Sequence, residues 1–286
     1  MSDSKKIRPI RGIVTKAIQE TPDTWTLHLE VKPSERNYLA GQFLSISPKQ
    51  FPELSELVAY FEHKKGKKEL IRAYSMASAP HEPTVSFTIR PERFSPEHDD
   101  YAPFLSPFLA SPFMKGREFE FLGYTGPYIL PANLEEQADQ VVHLVAGSGA
   151  VPNFSLLKDQ LIQNKNPSVH HTLIDINRTY EDIIYRAELE ELAQKYPKRF
   201  TLVHRLTREE RPGFVNGRPT FDLLREHVKD PSRVLVYACG SAITKWQKKH
   251  AKLTGEKPAP RFIETVTDWT RQLGIDKKRF KHESYG

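Results

Sequence analysis

At 286 residues the chain is longer than one ordinary core requires and suits two domains of roughly 100–200 residues each. An apolar content of 38% beside 27% charged residues excludes a disordered chain, and no run approaches the roughly 20 apolar residues of a membrane-crossing helix. The single cysteine, Cys239, excludes an internal disulfide, a cysteine-ligated iron–sulfur cluster and a Cys-rich zinc site. Redox chemistry in this chain would therefore rest on a bound organic cofactor.

The net charge of +6 suits a solvated surface, an anionic cofactor or an acidic protein partner. No nucleic-acid motif accompanies it, so no nucleic-acid partner is expected. Met1–Lys6 is not followed by an apolar stretch, so no secretory signal is expected and the location reads as cytoplasmic.

In chain order, residues 7–130 read as short strands and turns. Alternating runs span Ile10–Ile18 and Thr24–Val31, followed by Asn37–Ser47, Thr84–Ile89 and Glu118–Leu122, with prolines between. Many short strands with turn signals predict a β-barrel or sandwich. Pro48–Lys68 and Pro91–Pro112 read as long inserted loops.

From about Asn133 the pattern changes. Val141–Ala146 is the apolar run of a strand buried on both faces. Helix Asn153–Asn164 follows, then strand His171–Ile176, helix Tyr185–Lys195, strand Phe200–Arg205, helix Thr220–Glu226, strand Val234–Ala238 and helix Ala242–Leu253. Alternating strands and helices predict an α/β doubly wound parallel sheet. The expected division is 1–133 for an antiparallel β-barrel domain and 134–286 for an α/β domain.

Three short motifs carry chemistry. In Arg72-Ala73-Tyr74-Ser75, on one extended strand, a guanidinium can clamp a phosphate, a ring can stack on a flat heterocycle and a hydroxyl can bond its edge. Gly147-Ser148-Gly149-Ala150-Val151-Pro152 follows a buried strand and opens a helix. Gly147 and Gly149 let backbone approach a diphosphate, the helix start offers free N–H groups, and Pro152 suits a first turn. A plain strand–helix turn is the alternative, because the third glycine of the usual fingerprint is absent. Cys239-Gly240 stands at a strand's carboxyl end, where open α/β sheets bind ligands; a small buried hydrophobe is the other reading of Cys239. The eleven histidines show no metal-ligand spacing, no metal site is expected, and His170-His171 leads into a strand with no partner cluster.

From about Ile7 to Gly286, these motifs in this order resemble the ferredoxin–NADP(+) reductase superfamily, within it the oxygenase-reductase and phenylacetyl-CoA reductase-subunit branch without the [2Fe–2S] domain. The resemblance implies an FAD-binding strand at Arg72–Ser75, with Arg72 on the pyrophosphate, Tyr74 on the isoalloxazine and Ser75 facing its reactive N5. Met76-Ala77-Ser78-Ala79-Pro80 continues that strand's pattern. Thr88-Ile89-Arg90 resembles the next FAD strand, its basic residue toward the nucleotide half. Ser106-Pro107-Phe108-Leu109 resembles a motif whose serine caps a helix against the FAD phosphate, although Pro103 replaces the usual preceding glycine. Gly123-Tyr124-Thr125-Gly126-Pro127-Tyr128 is similar to a family glycine motif, with Tyr124 for proline.

For the second half, the resemblance implies an NADP or NAD diphosphate on Gly147–Pro152 and the nicotinamide at Cys239-Gly240. It gives Arg178, in Asn177-Arg178-Thr179, either a 2′-phosphate contact or the role of an exposed loop arginine. Arg208 and Arg218 also match family positions. Phe280–Gly286 resembles the family's terminal motif and implies Glu283 near the nicotinamide and Tyr285 near the flavin. Ser75, Cys239 and Glu283 are the implied catalytic set.

The activity implied is an FAD-dependent NAD(P)H reductase that passes electrons singly to a separate, acidic acceptor: ferredoxin, flavodoxin or an oxygenase component. Lys64, Lys65, Lys67 and Lys68 are candidates to steer it. A flavin or quinone reductase with a diffusible acceptor, or a non-catalytic FAD-binding electron-transfer subunit, are the other readings.

Overall fold

The computed structural model describes residues 8–96 and 101–285; the N-terminal Met1–Lys6 and the terminal Gly286 read above lie outside them. The chain divides into two compact units, one made of residues up to 95 together with 101–129, the other running from Leu130 onward.

The first unit is an antiparallel sheet of six strands. They are β1 (Pro9–Thr21), β2 (Thr24–Glu30), β3 (Phe43–Ile46), β4 (Arg72–Ser75), β5 (Val85–Ile89) and β6 (Glu118–Thr125), in the order β4-β3-β6-β1-β2-β5. Alternation decides which side chains turn inward. Leu27 and Leu29 of β2, Leu44 and Ile46 of β3 and Phe119 and Phe121 of β6 pack in one core with Phe87 and Ile89. The sheet curls until its edges meet. Just past β4, Met76 bridges to Phe87 of β5, and the Ala77 N–H donates to the Ser86 carbonyl at 2.7 Å. Arg72–Ser75 therefore lies at the seam that closes the barrel, where an edge strand would otherwise be left unpaired.

The segment expected as a loop at 48–68 is mostly helix, α1 (Ser55–Lys65). It forms because Val58 and Phe61 bury one turn apart, and the Phe61 ring stacks on Phe104 at 5.3 Å. Gly66 ends it in the left-handed conformation (φ 60°). A short helix, α2 (Leu105–Leu109), follows later in the same unit.

The second unit is a six-stranded parallel sheet with helices between its strands. After α3 (Leu134–Gln137) come β7 (Gln140–Ala146), α4 (Ala150–Leu161), β8 (His170–Asn177), α5 (Arg186–Lys195), β9 (Phe200–Leu206) and β10 (Val215–Asn216). Then follow α6 (Phe221–His227), β11 (Val234–Ser241), α7 (Lys245–Thr254), α8 (Phe262–Gln272) and β12 (Phe280–Tyr285). The strand order is β10-β9-β8-β7-β11-β12. The chain steps outward from β7 to β10 and then returns to β11 on the other side of β7. The order reverses between β7 and β11, and the carboxyl ends at such a reversal leave a crevice that ligands use in open α/β sheets.

Four elements here are absent from the sequence expectation: the short α3 and β10, and the longer α8 and β12. The buried Ile263, Val266 and Trp269 give α8 an apolar face at helical spacing, and it packs on Val236 and Ala238 of β11. The terminal segment adds to the sheet as β12, with Cys239 in register with Glu283 and Ser241 with Tyr285. Strand β11 runs on through Ser241, so Cys239-Gly240 lies inside the strand rather than after it. Among the described residues no helix is long and apolar enough to cross a membrane.

Candidate functional site

In the barrel unit Arg72 and Tyr74 occupy alternate positions of β4, opposite Ile46 and Leu44. The Arg72 guanidinium donates to the Leu70 carbonyl at 3.1 Å and to the Glu69 carboxylate at 3.3 Å. Burial works to raise the Glu69 carboxyl, but bonds from Lys65 and the Leu70 N–H, with the Arg72 charge, hold it below the usual range. Arg72 is thus aimed by a buried anion while several of its five N–H donors stay available to a phosphate. The Tyr74 ring lies 5.6 Å from Phe87, and burial pushes its hydroxyl well above the usual range, so it stays a hydrogen-bond donor. The nearby Glu92 charge adds to that shift and Arg72 opposes it. Ser75 is buried opposite Phe43.

The other barrel positions are more constrained. The Thr88 hydroxyl bonds the Thr26 hydroxyl at 2.7 Å, and Ile89 is fully buried in the core, so only its backbone can reach a ligand. Arg90 donates to Asp23 at 3.1 Å, and Arg93 shares that carboxylate at 2.9 Å. Ser106 does not cap a helix. Phe104 holds the capping position of α2, and the buried Ser106 hydroxyl accepts from the Glu92 N–H at 3.3 Å. Pro103, in place of the family's glycine, stands just before that turn. Of the four lysines expected to steer a partner, Lys65 is bound to Glu69 at 2.8 Å and Lys64 lies over the Tyr60 ring at 5.8 Å.

In the parallel-sheet unit the glycine loop and Cys239-Gly240 are neighbours. Gly147 is left-handed (φ 56°), which favours glycine. A Cβ on Gly149 would stand 2.0 Å from the Cys239 carbonyl oxygen, so the end of β7 reaches β11 only because that Cβ is absent. A Cβ on Gly240 would strike the Phe262 ring at 2.5 Å. Pro152 is buried in the first turn of α4, where no N–H is required. The Ala150 N–H turns back to the Gly147 and Ser148 carbonyls, so α4 continues the short turn Gly147–Gly149 at the carboxyl edge of the sheet, beside Cys239.

Cys239 is itself fully buried between Val145 and Glu283. Burial holds its thiol well above the usual range; the Glu283 carboxylate adds to the effect, and a hydrogen bond with Tyr285 opposes it. A thiol so held is not a nucleophile, and of the two sequence readings of Cys239 the burial matches the small buried residue.

One strand further along, the same edge carries exposed positive charge. Arg178 and Arg208 follow β8 and β9, and the Arg208 N–H donates to the Arg178 carbonyl at 2.9 Å. Both side chains are exposed, and neither makes an ion pair among the described residues. Beside Arg178, the Asn177 amide is buried with neither its oxygen nor its nitrogen partnered. A buried amide without partners thus stands next to two exposed arginines, polar groups of the kind that suit a phosphorylated sugar. Arg218 contributes its backbone, whose carbonyl accepts from Arg205 at 2.8 Å.

Sequence reasoning missed two groups. His143 and His171, read as bland, form a hydrogen-bonded buried pair that reaches Asn153. The available signal was a histidine inside the otherwise apolar run Val141–Ala146. The second group is α7, which has no buried residue and exposes Lys245, Lys248, Lys249 and Lys252 with Leu253. Those lysines make no ion pair among the described residues.

Residues 144–248 match the oxidoreductase NAD-binding domain family. Over 276 residues the chain is 29% identical to the ferredoxin reductase component of 3-ketosteroid-9-alpha-monooxygenase from Rhodococcus rhodochrous, covering 95% of this chain and 64% of that protein. It is 36% identical over 105 residues to NADH-cytochrome b5 reductase 2 of Xenopus laevis, covering 36% of this chain and 35% of that one. The chain thus spans between about a third and just under two thirds of these relatives' lengths. Among solved structures, the FAD/NAD-binding domain of nitric oxide dioxygenase from Vibrio cholerae superposes with a TM-score of 0.71 at 18% identity, covering 98% of this chain and 100% of that one. Ferredoxin–NADP(+) reductase of Plasmodium falciparum gives 0.68 at 18%, covering 97% and 96%.

Proposed function

We propose that this chain, which carries an oxidoreductase NAD-binding domain and the two-domain fold of the ferredoxin–NADP(+) reductase superfamily, is an FAD-dependent NAD(P)H reductase serving a separate electron-acceptor protein. The observation that carries the reading is the contact at the strand-order reversal, where Gly149 lies against the Cys239 carbonyl. That contact brings the glycine turn that leads into α4 and the Cys239-Gly240 segment of β11 to one point. When bound, FAD takes hydride from the nicotinamide and releases electrons one at a time.

The residues of the chain bind, orient and hold protons. Arg72, aimed by Glu69, meets the flavin's pyrophosphate. Tyr74 offers a ring face and a hydroxyl kept protonated by burial, and Ser75 a hydroxyl at the barrel seam. Thr88 and the Ile89 backbone support the same ligand. Gly147, Gly149 and Pro152 shape the loop for the dinucleotide's diphosphate, and the positive end of the α4 dipole favours its charge. Arg178 and Arg208 flank the unpartnered Asn177 amide and suit a 2′-phosphate, which favours NADPH over NADH. Protonated Cys239 and Gly240 give an uncharged, close-fitting wall for the nicotinamide, with Glu283 and Tyr285 on the adjoining strand. The superfamily resemblance adds Arg90 and Ser106 to the flavin's surroundings, though in this chain both are engaged with other groups.

The one cysteine of this chain supplies no cluster, so the acceptor lies outside these residues. The unpaired lysines of α7, a helix that starts just past β11, favour an acidic surface on that partner. Stopped-flow mixing of the purified protein with NADPH and with NADH tests the reading. Bleaching of bound flavin, faster with NADPH, is expected. Arg178→Ala with Arg208→Ala should remove the preference and leave the NADH reaction unchanged. A bound flavin that neither nucleotide bleaches contradicts the proposal.

A further inference from the structure

A chain of buried hydrogen bonds ends at the glycine loop. The Asn153 Nδ2 donates to the Gly149 carbonyl at 2.9 Å. A carbonyl can only accept, so the amide nitrogen must face it, and Oδ1 must face His143. The distance from Asn153 Oδ1 to His143 Nδ1 is 2.8 Å, so that ring nitrogen carries the hydrogen. Burial pushes the His143 pKa down to about 4, opposed by its bond to Asn153, so the ring is neutral near pH 7 and its Nε2 is bare. His171 Nδ1 lies 3.0 Å from that bare nitrogen and must be the donor. The ring of His171 is also held neutral, chiefly by burial, with the neighbouring His143, Arg199 and His170 each opposing a positive charge on it. Its Nε2 is then an acceptor, buried without a partner.

Every donor in the series points the same way: His171 to His143, His143 to Asn153, Asn153 to Gly149. Each bond polarises the next, and a fully buried series has no water to exchange with. Its last acceptor belongs to the residue whose Cα rests on the Cys239 carbonyl. We infer that His143, His171 and Asn153 are positioning residues, a one-directional relay that fixes the Gly147–Gly149 loop for dinucleotide binding. The inference rests on the dinucleotide-loop reading above.

The relay makes a statement about protons that activity need not report. Nitrogen-15 NMR of the wild-type protein should find His143 and His171 both neutral, both with hydrogen on Nδ1. An Nε2–H form of either ring overturns the relay, and this measurement needs no variant to fold. The functional arm uses ADP-ribose as the calorimetric probe. His143→Leu, which removes the donor to Asn153, should weaken ADP-ribose binding about tenfold, the worth of one buried hydrogen bond. His143→Gln, whose amide can donate to the same oxygen, should restore most of it. Wild-type affinity in His143→Leu, or equal losses in the Leu and Gln variants, overturns the positioning role alone. A wild-type protein that does not bind ADP-ribose overturns the dinucleotide reading itself, and the positioning role with it.

Discussion

Gly149→Ala puts the contact at the heart of the site under direct strain. Gly149 has ordinary helical backbone (φ −60°, ψ −16°), so alanine meets no conformational penalty there and by propensity alone would stabilise by about 1 kcal/mol. The new Cβ, however, would stand 2.0 Å from the Cys239 carbonyl oxygen and 2.5 Å from its carbon. A comfortable C···O contact is about 3.3 Å, leaving roughly 1.3 Å to be found by moving backbone. Cys239 cannot yield alone, because β11 is paired with β7 on one side and β12 on the other. Overpacking of this kind costs about 1–3 kcal/mol, and the lack of give here puts it at or above the upper end, for a net loss of about 2 kcal/mol. That is a fall in Tm of roughly 5 °C for a unit of this size. Thermal melts followed by circular dichroism, with NADPH affinity by fluorescence, read both effects, and binding should weaken along with stability. Gly255→Ala is the control. It is left-handed (φ 77°) with nothing within 4 Å of its Cβ, so it should cost about 1–2 kcal/mol of backbone strain and leave NADPH affinity unchanged. Wild-type stability and affinity in Gly149→Ala would refute the claim that loop and strand end are locked together.

Three further outcomes are expected. The buried His143 has its pKa depressed from 6.5 to about 4, so between those values the unfolded chain binds a proton that the folded one does not. Stability should therefore fall as pH drops through 6.5, with the contribution of this group, about 3 kcal/mol, complete near 4 and His171 acting in the same direction; urea titrations on His143→Gln should lose the share of that slope due to His143 and keep the share due to His171. The Cys239 thiol should resist a thiol-labelling reagent in the folded protein at neutral pH and react fully once unfolded, and rapid labelling of the folded protein contradicts its assigned burial. Lys245→Glu with Lys248→Glu and Lys249→Glu should slow reduction of an acidic ferredoxin at low salt and flatten its salt dependence, leaving ferricyanide reduction untouched; a ferredoxin rate that ignores these charges removes α7 from the docking surface.

The fold was largely legible in the sequence because two different periods announce it. Alternation such as Glu118, Phe119, Glu120 and Phe121 serves a sheet with one buried face, and a run like Val141–Ala146 serves a strand covered on both. The loop and strand-end motifs were legible for a related reason: glycine is required where backbone touches backbone, and Gly149 does so. What the sequence withheld lies in pairings between distant positions. Nothing local says that His171 faces His143, since their contact depends on β7 and β8 lying side by side. The family resemblance made Ser106 a helix cap, but the Glu92 N–H, fourteen residues earlier, takes its hydroxyl. Lys65 looked available for a partner, but Glu69 binds it within one turn. The α8 stripe Ile263, Val266 and Trp269 was present to be read and shows plain helical spacing.

An anaerobic reductive titration tests most directly the claim that a flavin held at Arg72–Ser75 is the only redox centre of this chain. The purified protein should carry one FAD, take up the electrons of that flavin and no more, and lose it on dilution once Arg72 is replaced by alanine. A protein without FAD, one that takes up electrons beyond the flavin's capacity, or an Arg72→Ala variant that keeps its flavin as tightly as the wild type would contradict the account.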